Sequence, residues 1–231
     1  MNIQGFQKLT LLDYPGKMAC TVFTGGCNFR CPFCHNTGLV VAPNENEPFT
    51  VREIFEFLEK RKNTLEGVCI TGGEPLLEKD LLDFLAGVKQ MGFSVKLDTN
   101  GYLTGRLKEI LAAGVVDYVA MDIKNSFEKY GITAGIENMN VAPIRESIAL
   151  LASSGVEYEF RTTAVKELHT EDDFEKISEM IRGCDKYFIQ AFKDSGDILC
   201  PGLSSPSREQ MFNFLSVVRK NGIPAELRGV E

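Results

Sequence analysis

Cys27, Cys31 and Cys34 fall in one segment, 24–36, that reads Thr-Gly-Gly-Cys-Asn-Phe-Arg-Cys-Pro-Phe-Cys-His-Asn, in a chain with only two histidines. Thiolates spaced Cys-x-x-x-Cys-x-x-Cys suit an inorganic cluster. A [4Fe–4S] cluster is normally held by four cysteines, so three leave one iron open to another ligand. A catalytic zinc likewise keeps one position free for water or substrate. Gly25 and Gly26 let the backbone turn tightly around such a core.

Two other uses of the thiols fit less well. A structural zinc site usually shows two ligand pairs, and no second Cys-x-x-Cys or His-x-His occurs. His35 directly follows Cys34, so one zinc would have to take two adjacent residues. A disulfide framework is disfavoured by an odd total of seven cysteines and by a chain too long to need staples. Cys20 and Cys69 lie in apolar runs and read as small buried hydrophobes, while Cys184 and Cys200 stand singly.

The cysteine spacing, Phe33 before the third thiol and Cys34-His35-Asn36 resemble the radical S-adenosylmethionine (SAM) enzymes. Among these the chain most resembles the activating enzymes of glycyl-radical proteins, of the pyruvate formate-lyase and anaerobic ribonucleoside-triphosphate reductase types. The opening Gly5-Phe6-Gln7-Lys8 and Asp13-Tyr14-Pro15-Gly16-Lys17 carry the likeness to the second type, and motif-like segments recur to about Phe192.

Something must position these residues. Short apolar runs at 18–23, 67–71, 94–98, 118–123, 157–163 and 186–192 alternate with helical patterns, the signature of βαβ units and a parallel sheet. Thr50 with Glu53 forms a capping box ahead of an Ile54, Phe55, Leu58 stripe. Leu81 to Val88, Leu103 to Leu111, Ile144 to Leu151 behind Pro143, and Phe174 to Ile181 behind Thr170 continue the series. A last helix is expected from Ser205-Pro206, carrying Met211, Phe214, Leu215 and Val218 and closed by Asn221-Gly222. Six βα units are too few for a closed eight-stranded barrel. They fit an α/β partial (β/α)6 TIM-like barrel, which the resemblance also implies, built as one domain over 1–231.

Polar residues gather after the strands, where parallel α/β folds place chemistry. Gly72-Gly73-Glu74 follows the second strand. Its glycines would let a ligand touch backbone carbonyls, and its carboxylate would hold an ammonium; alone it is equally an ordinary βα turn. Placed after the cysteine loop, it resembles the family's segment for the amino group of SAM. Asp98-Thr99-Asn100-Gly101 and Asp122-Ile123-Lys124 follow the third and fourth strands. The resemblance implies that Asp98, Thr99 and Asp122 hold a monovalent cation at the carboxylate end of SAM, because two bare carboxylates would repel it. The alternative is that these aspartates cap helices and pair with Lys124. Arg161 matches a SAM-contacting arginine and can equally pair with Asp122. Gln190 would border the adenine, with Phe33 and Phe192 giving flat apolar contact; both rings are also ordinary core residues. Asn36 completes the set of cofactor contacts that the resemblance implies.

Composition narrows the function classes. In a chain of 231 residues with 44% hydrophobic residues and a formal net charge of −7, no basic stripe points to nucleic acid. No apolar run approaches the roughly 18–20 residues of a membrane span. Free thiols and the lack of a secretory pattern lead us to expect a cytoplasmic protein. The resemblance implies reductive cleavage of SAM at a [4Fe–4S] cluster and hydrogen abstraction from a glycine of a partner protein, with flavodoxin or ferredoxin as electron donor. The rivals are a small-molecule radical SAM enzyme resembling the carboxy-deazaguanine synthases, and a non-catalytic iron–sulfur electron carrier.

Overall fold

The structure, a computed structural model, describes residues 1–41, 49–194, 196 and 198–230. Its strands are β1 (Ile3–Thr10), β2 (Ala19–Thr24), β3 (Gly67–Gly72), β4 (Ser94–Thr99), β5 (Tyr118–Asp122), β6 (Glu157–Ala164), β7 (Tyr187–Ala191) and β8 (Ala225–Arg228). They form one sheet whose strand order follows the chain, β1 to β8. The fold is therefore α/β, a mostly parallel sheet of the partial-barrel class. All six expected strands are present, with ends shifted by one residue at most. Two further strands flank them. β1 pairs antiparallel with β2, with Phe6 opposite Val22 and Gln7 opposite Thr21, and β8 pairs parallel with β7. β8 spans only Ala225–Arg228, too short for an apolar period to show.

The chain divides into two compact units. The first comprises Met1–Asn28, Gly38–Thr99 and Leu103–Ala120; the second comprises Phe29–Thr37, Asn100–Tyr102 and Met121–Glu231. In the first, β2, β3 and β4 run parallel in register, with Cys69 paired to Thr21 and to Lys96. Their near-continuous burial fits strands covered on both faces. Helices α1 (Thr37–Val41), α2 (Val51–Arg61), α3 (Leu81–Gln90) and α4 (Thr104–Ala112) accompany them, and Pro75–Leu77 makes a 3-10 turn. The Thr50–Glu53 capping box opens α2 as the sequence predicts.

In the second unit β6, β7 and β8 run parallel, with α5 (Tyr130–Ala134), α6 (Ala142–Ser153), α7 (Glu171–Met180) and α8 (Arg208–Lys220). Thr170 and Asp173 cap α7 reciprocally. The start of α8 differs slightly from expectation: its cap is Ser207, whose hydroxyl accepts from Gln210 N at 3.1 Å while Gln210 Oε1 accepts from Ser207 N at 2.9 Å. Ser205 stands three positions before Arg208, whose side chain has no acceptor to close such a box. Among the described residues no helix is long and apolar enough to cross a membrane.

Candidate cofactor site

Of the residues singled out by sequence, Cys27, Gly72, Gly73, Glu74, Asp98 and Thr99 belong to the first unit. Cys31, Phe33, Cys34, Asn36, Asp122, Lys124, Arg161, Gln190 and Phe192 belong to the second.

In the first unit the backbone of Gly72 and Gly73 lies directly against the loop that carries Cys27. Gly73 N donates to Thr24 O at 2.9 Å and Glu74 N donates to Gly26 O at 2.8 Å. A Cβ on Gly73 would fall 1.7 Å from Gly26 O. One on Gly72, whose φ is +119°, would fall 2.3 Å from Thr24 N. The glycine pair is thus demanded by the approach of the cysteine loop, a tighter reason than the ligand contact expected from sequence. Glu74 is 1% exposed. Its Oε1 accepts from Leu76 N at 3.1 Å, capping the 3-10 turn, and from the Thr99 hydroxyl at 2.8 Å. The segments after β3 and β4 are therefore tied together through one carboxylate.

Asp98 has a partner that sequence reasoning missed. Lys96, two residues earlier on β4 and 1% exposed, forms an ion pair with the Asp98 carboxylate. Cys69 Sγ lies 3.8 Å from the Lys96 ammonium and 3.9 Å from Asp98 Oδ1. The spacing of two puts Lys96 and Asp98 on one face of the strand.

In the second unit, Asp122 Oδ1 accepts from Arg161 Nε and Nη2, each at 3.0 Å, and Oδ2 accepts from Lys124 Nζ at 2.9 Å. Burial alone would raise the Asp122 pKa, but Arg161 and Lys124 outweigh it and hold the carboxyl at about 2. The same pairing overcomes the burial that would discharge Lys124 and pushes its ammonium well above the lysine range. Two cations to one carboxylate leave this group with one unit of positive charge. Around it, Tyr130 donates its hydroxyl to Asp122 O at 3.2 Å, and His169 Nε2 lies 2.9 Å from Lys124 O. Val165 N donates to His169 Nδ1 at 3.1 Å, so Nε2 carries the proton and donates to Lys124 O. Burial is the main cause that lowers the His169 pKa, which keeps the ring neutral.

Cys34 N donates to Cys31 O at 3.0 Å, setting those two thiols on one turn. Arg30 N donates to Ala134 O at 2.9 Å, and Cys200 N to Pro32 O at 3.0 Å, so backbone contacts hold the turn on both sides. Phe192 is buried and meets Phe33 edge-on at 6.5 Å between centroids, with the His35 ring tilted over it at 5.3 Å. Gln190 lies on β7 between Thr163 and Arg228, and Asn36 lies just before α1.

All seven cysteines are free thiols. Among the described residues no three Cys, His, Asp or Glu side chains are drawn together as a metal group, so fit rests on donor chemistry. Cys27, Cys31 and Cys34 are unoxidised soft donors on a loop flanked by Gly25 and Gly26, and they suit iron–sulfur ligation.

Fold and donor set together describe an α/β protein that presents three thiols on the loop after β2, a donor set suited to an iron–sulfur group. The radical SAM superfamily profile matches residues 21–181, and the chain belongs to that superfamily. A Methanocaldococcus jannaschii protein provisionally named a glycyl-radical enzyme activating enzyme is 33% identical over 226 residues, covering 94% of this chain and 92% of the relative. The pyruvate formate-lyase-activating enzyme of Clostridium pasteurianum is 34% identical over 129 residues, 54% of this chain and 52% of its own. Among solved structures, a domain of the pyruvate-formate lyase-activating enzyme of Bacteroides vulgatus aligns at TM-score 0.58 and 19% identity, covering 71% of this chain and 99% of that domain. Streptococcus suis SuiB bound to precursor peptide SuiA aligns at TM-score 0.72 and 13% identity, covering 90% of this chain and 48% of SuiB. These two likenesses support the fold. A [4Fe–4S] cluster and SAM are the cofactors that the superfamily implies.

Proposed function

We propose that this protein activates a glycyl-radical enzyme, of the anaerobic ribonucleotide reductase or pyruvate formate-lyase type. The observation that carries the reading is the end-to-end similarity to the M. jannaschii relative, 33% over 94% of the chain. Likeness to a 7-carboxy-7-deazaguanine synthase of Hyperthermus butylicus is 38% identical but confined to 39% of the chain. In our reading 1–231 is one radical SAM core.

Held there, a [4Fe–4S] cluster would supply the electron for reductive cleavage of bound SAM, the chemistry that hydrogen abstraction from a glycine Cα would draw on. The chain's own residues hold and orient. Cys27, Cys31 and Cys34 each take one iron. Glu74, fixed by Leu76 N and Thr99, and the carbonyls of Gly72 and Gly73 receive the amino group of SAM. The net positive Asp122–Lys124–Arg161 group receives its carboxylate. Phe33, Phe192 and Gln190 border the adenine, and Asn36 supports that edge. Flavodoxin or ferredoxin supplies the electron. Seven free thiols and an oxygen-sensitive cluster suit the reducing cytoplasm.

The test is incubation, without oxygen, of cluster-loaded protein with SAM, a reductant and candidate glycyl-radical proteins. The expected result is a doublet electron paramagnetic resonance signal from an α-hydrogen-coupled glycyl radical. If no panel member gives the doublet while a small heterocycle accelerates 5′-deoxyadenosine formation, the small-molecule reading replaces this one. If neither substrate nor reductant yields 5′-deoxyadenosine, the protein is an electron carrier.

A further inference from the structure

Resemblance implies a monovalent metal ion among Asp98, Thr99 and Asp122, and the side chains in the structure do not fit that ion well. Each of the three groups is already engaged within its own unit. Asp98 faces the buried ammonium of Lys96, with Cys69 Sγ 3.8 Å from Nζ. Thr99, leaving the other face of β4, gives its hydroxyl hydrogen to Glu74 at 2.8 Å. Both Asp122 oxygens accept, one from Arg161 at 3.0 Å and the other from Lys124 at 2.9 Å.

A potassium or sodium ion at Asp98 would bring the same single charge that Lys96 already brings. It would also leave that ammonium buried beside a thiol with its carboxylate shared or lost, which is costly in a dry site. The electrostatic reason for a metal, two bare carboxylates repelling an anionic ligand, is absent as well. Asp98 is neutralised, and Asp122 is outweighed by its two cations.

We infer that Lys96 is the resident cation at Asp98, and that the protein binds SAM without sodium or potassium. Its ammonium fixes the orientation of Asp98 from below in the same strand, which makes it a positioning residue with no role in bond making. The inference rests on the reading of the chain as a SAM enzyme.

The test begins with the wild-type protein, cluster-loaded and equilibrated in choline, sodium or potassium chloride at one ionic strength. SAM affinity is measured by equilibrium dialysis, and thermal unfolding of the cluster-free protein is followed in the same salts. Reductive cleavage is read with photoreduced deazaflavin, which brings in no alkali metal. We expect Kd to agree within about twofold across the salts, and the unfolding temperature to be the same in potassium as in choline. SAM binding tenfold tighter in potassium or sodium, or a potassium-specific rise in unfolding temperature, overturns the inference. Lys96→Met should weaken SAM binding at least tenfold in choline and recover part of it in potassium or sodium, as an ion enters where the ammonium was. A Lys96→Met protein that binds SAM as wild type does in choline also overturns it. If that variant fails to fold, the wild-type salt series decides alone. Absence of SAM binding in every salt would sink the enzyme reading and this inference together, whereas an alkali-metal requirement sinks only the inference.

Discussion

Replacing Gly73 with alanine tests the contact between the Gly-Gly-Glu turn and the cysteine loop most directly. The added Cβ would lie 1.7 Å from Gly26 O, where ordinary contact begins at 3.4 Å, so the two backbones must part by about 1.7 Å. No side chain can swing away to relieve this, because the obstacle is a carbonyl of the loop itself. Parting at that scale breaks the bonds from Gly73 N to Thr24 O and from Glu74 N to Gly26 O. Overpacking strain of about 1–3 kcal/mol and two lost hydrogen bonds at about 0.5–1.5 kcal/mol each sum to roughly 2–6 kcal/mol. That is a large fraction of the roughly 5–15 kcal/mol that holds a domain folded. Urea unfolding of cluster-free protein, followed by circular dichroism, should show this loss. Reconstitution should then give less than half the wild-type iron per chain. Gly105→Ala is the control: it lies in α4, nothing lies within 4 Å of its added Cβ, and it should gain up to about 1 kcal/mol. A Gly73→Ala protein with wild-type urea midpoint and full iron would refute the reasoning.

Other outcomes follow from the same geometry. Cys31→Ala should fail to reconstitute four irons and make no 5′-deoxyadenosine, whereas buried Cys184→Ala should cost on the order of 1 kcal/mol in urea unfolding and keep its iron. Asp122, whose carboxyl is held at about 2 against an ordinary 3.8, adds stability that is complete above pH 4 and disappears as pH falls through 2. The stability gap between wild type and Asp122→Asn, measured by urea unfolding, should therefore narrow over that window. His169 is kept neutral by burial, so it takes up a proton on unfolding below pH 6.5. Unfolding free energy should fall as pH drops from there, and His169→Gln should flatten that slope.

Much of the frame could be read from residue patterns, because β2 to β7 are apolar runs separated by capped helices whose periods differ clearly. β1 escaped notice because it is an edge strand whose second half, Gln7 to Leu9, faces solvent. The short α1 and α5, at Thr37–Val41 and Tyr130–Ala134, carry too little sequence for a period to declare itself. Among site residues, the three thiols and the Gly-Gly-Glu turn announced themselves by spacing. Lys96 did not, since a lysine in a strand usually points to water, and only its burial beside Asp98 reveals its use. For His35 the motif gives no sign that its ring packs over Phe192. Pairings of Asp122 with Lys124 and of Arg161 with Asp122 are both alternatives that the residues offer, and the structure shows that the two hold together.

A sheet whose strand order repeats the order of the chain has a bearing on synthesis. No strand has to wait for a distant one, since each newly emerged strand finds its neighbour at the growing edge of what is already built. That edge stays open while the next strand is being made. Eighteen residues separate the end of β4 at Thr99 from the start of β5 at Tyr118, roughly 1–4 s of translation at about 5–20 residues per second. For those seconds the β4 edge, with Asp98 and Lys96 already paired on one face, is the unfinished side of the nascent protein. It is there that a holding chaperone, or a neighbouring nascent chain, would find backbone groups still seeking a partner.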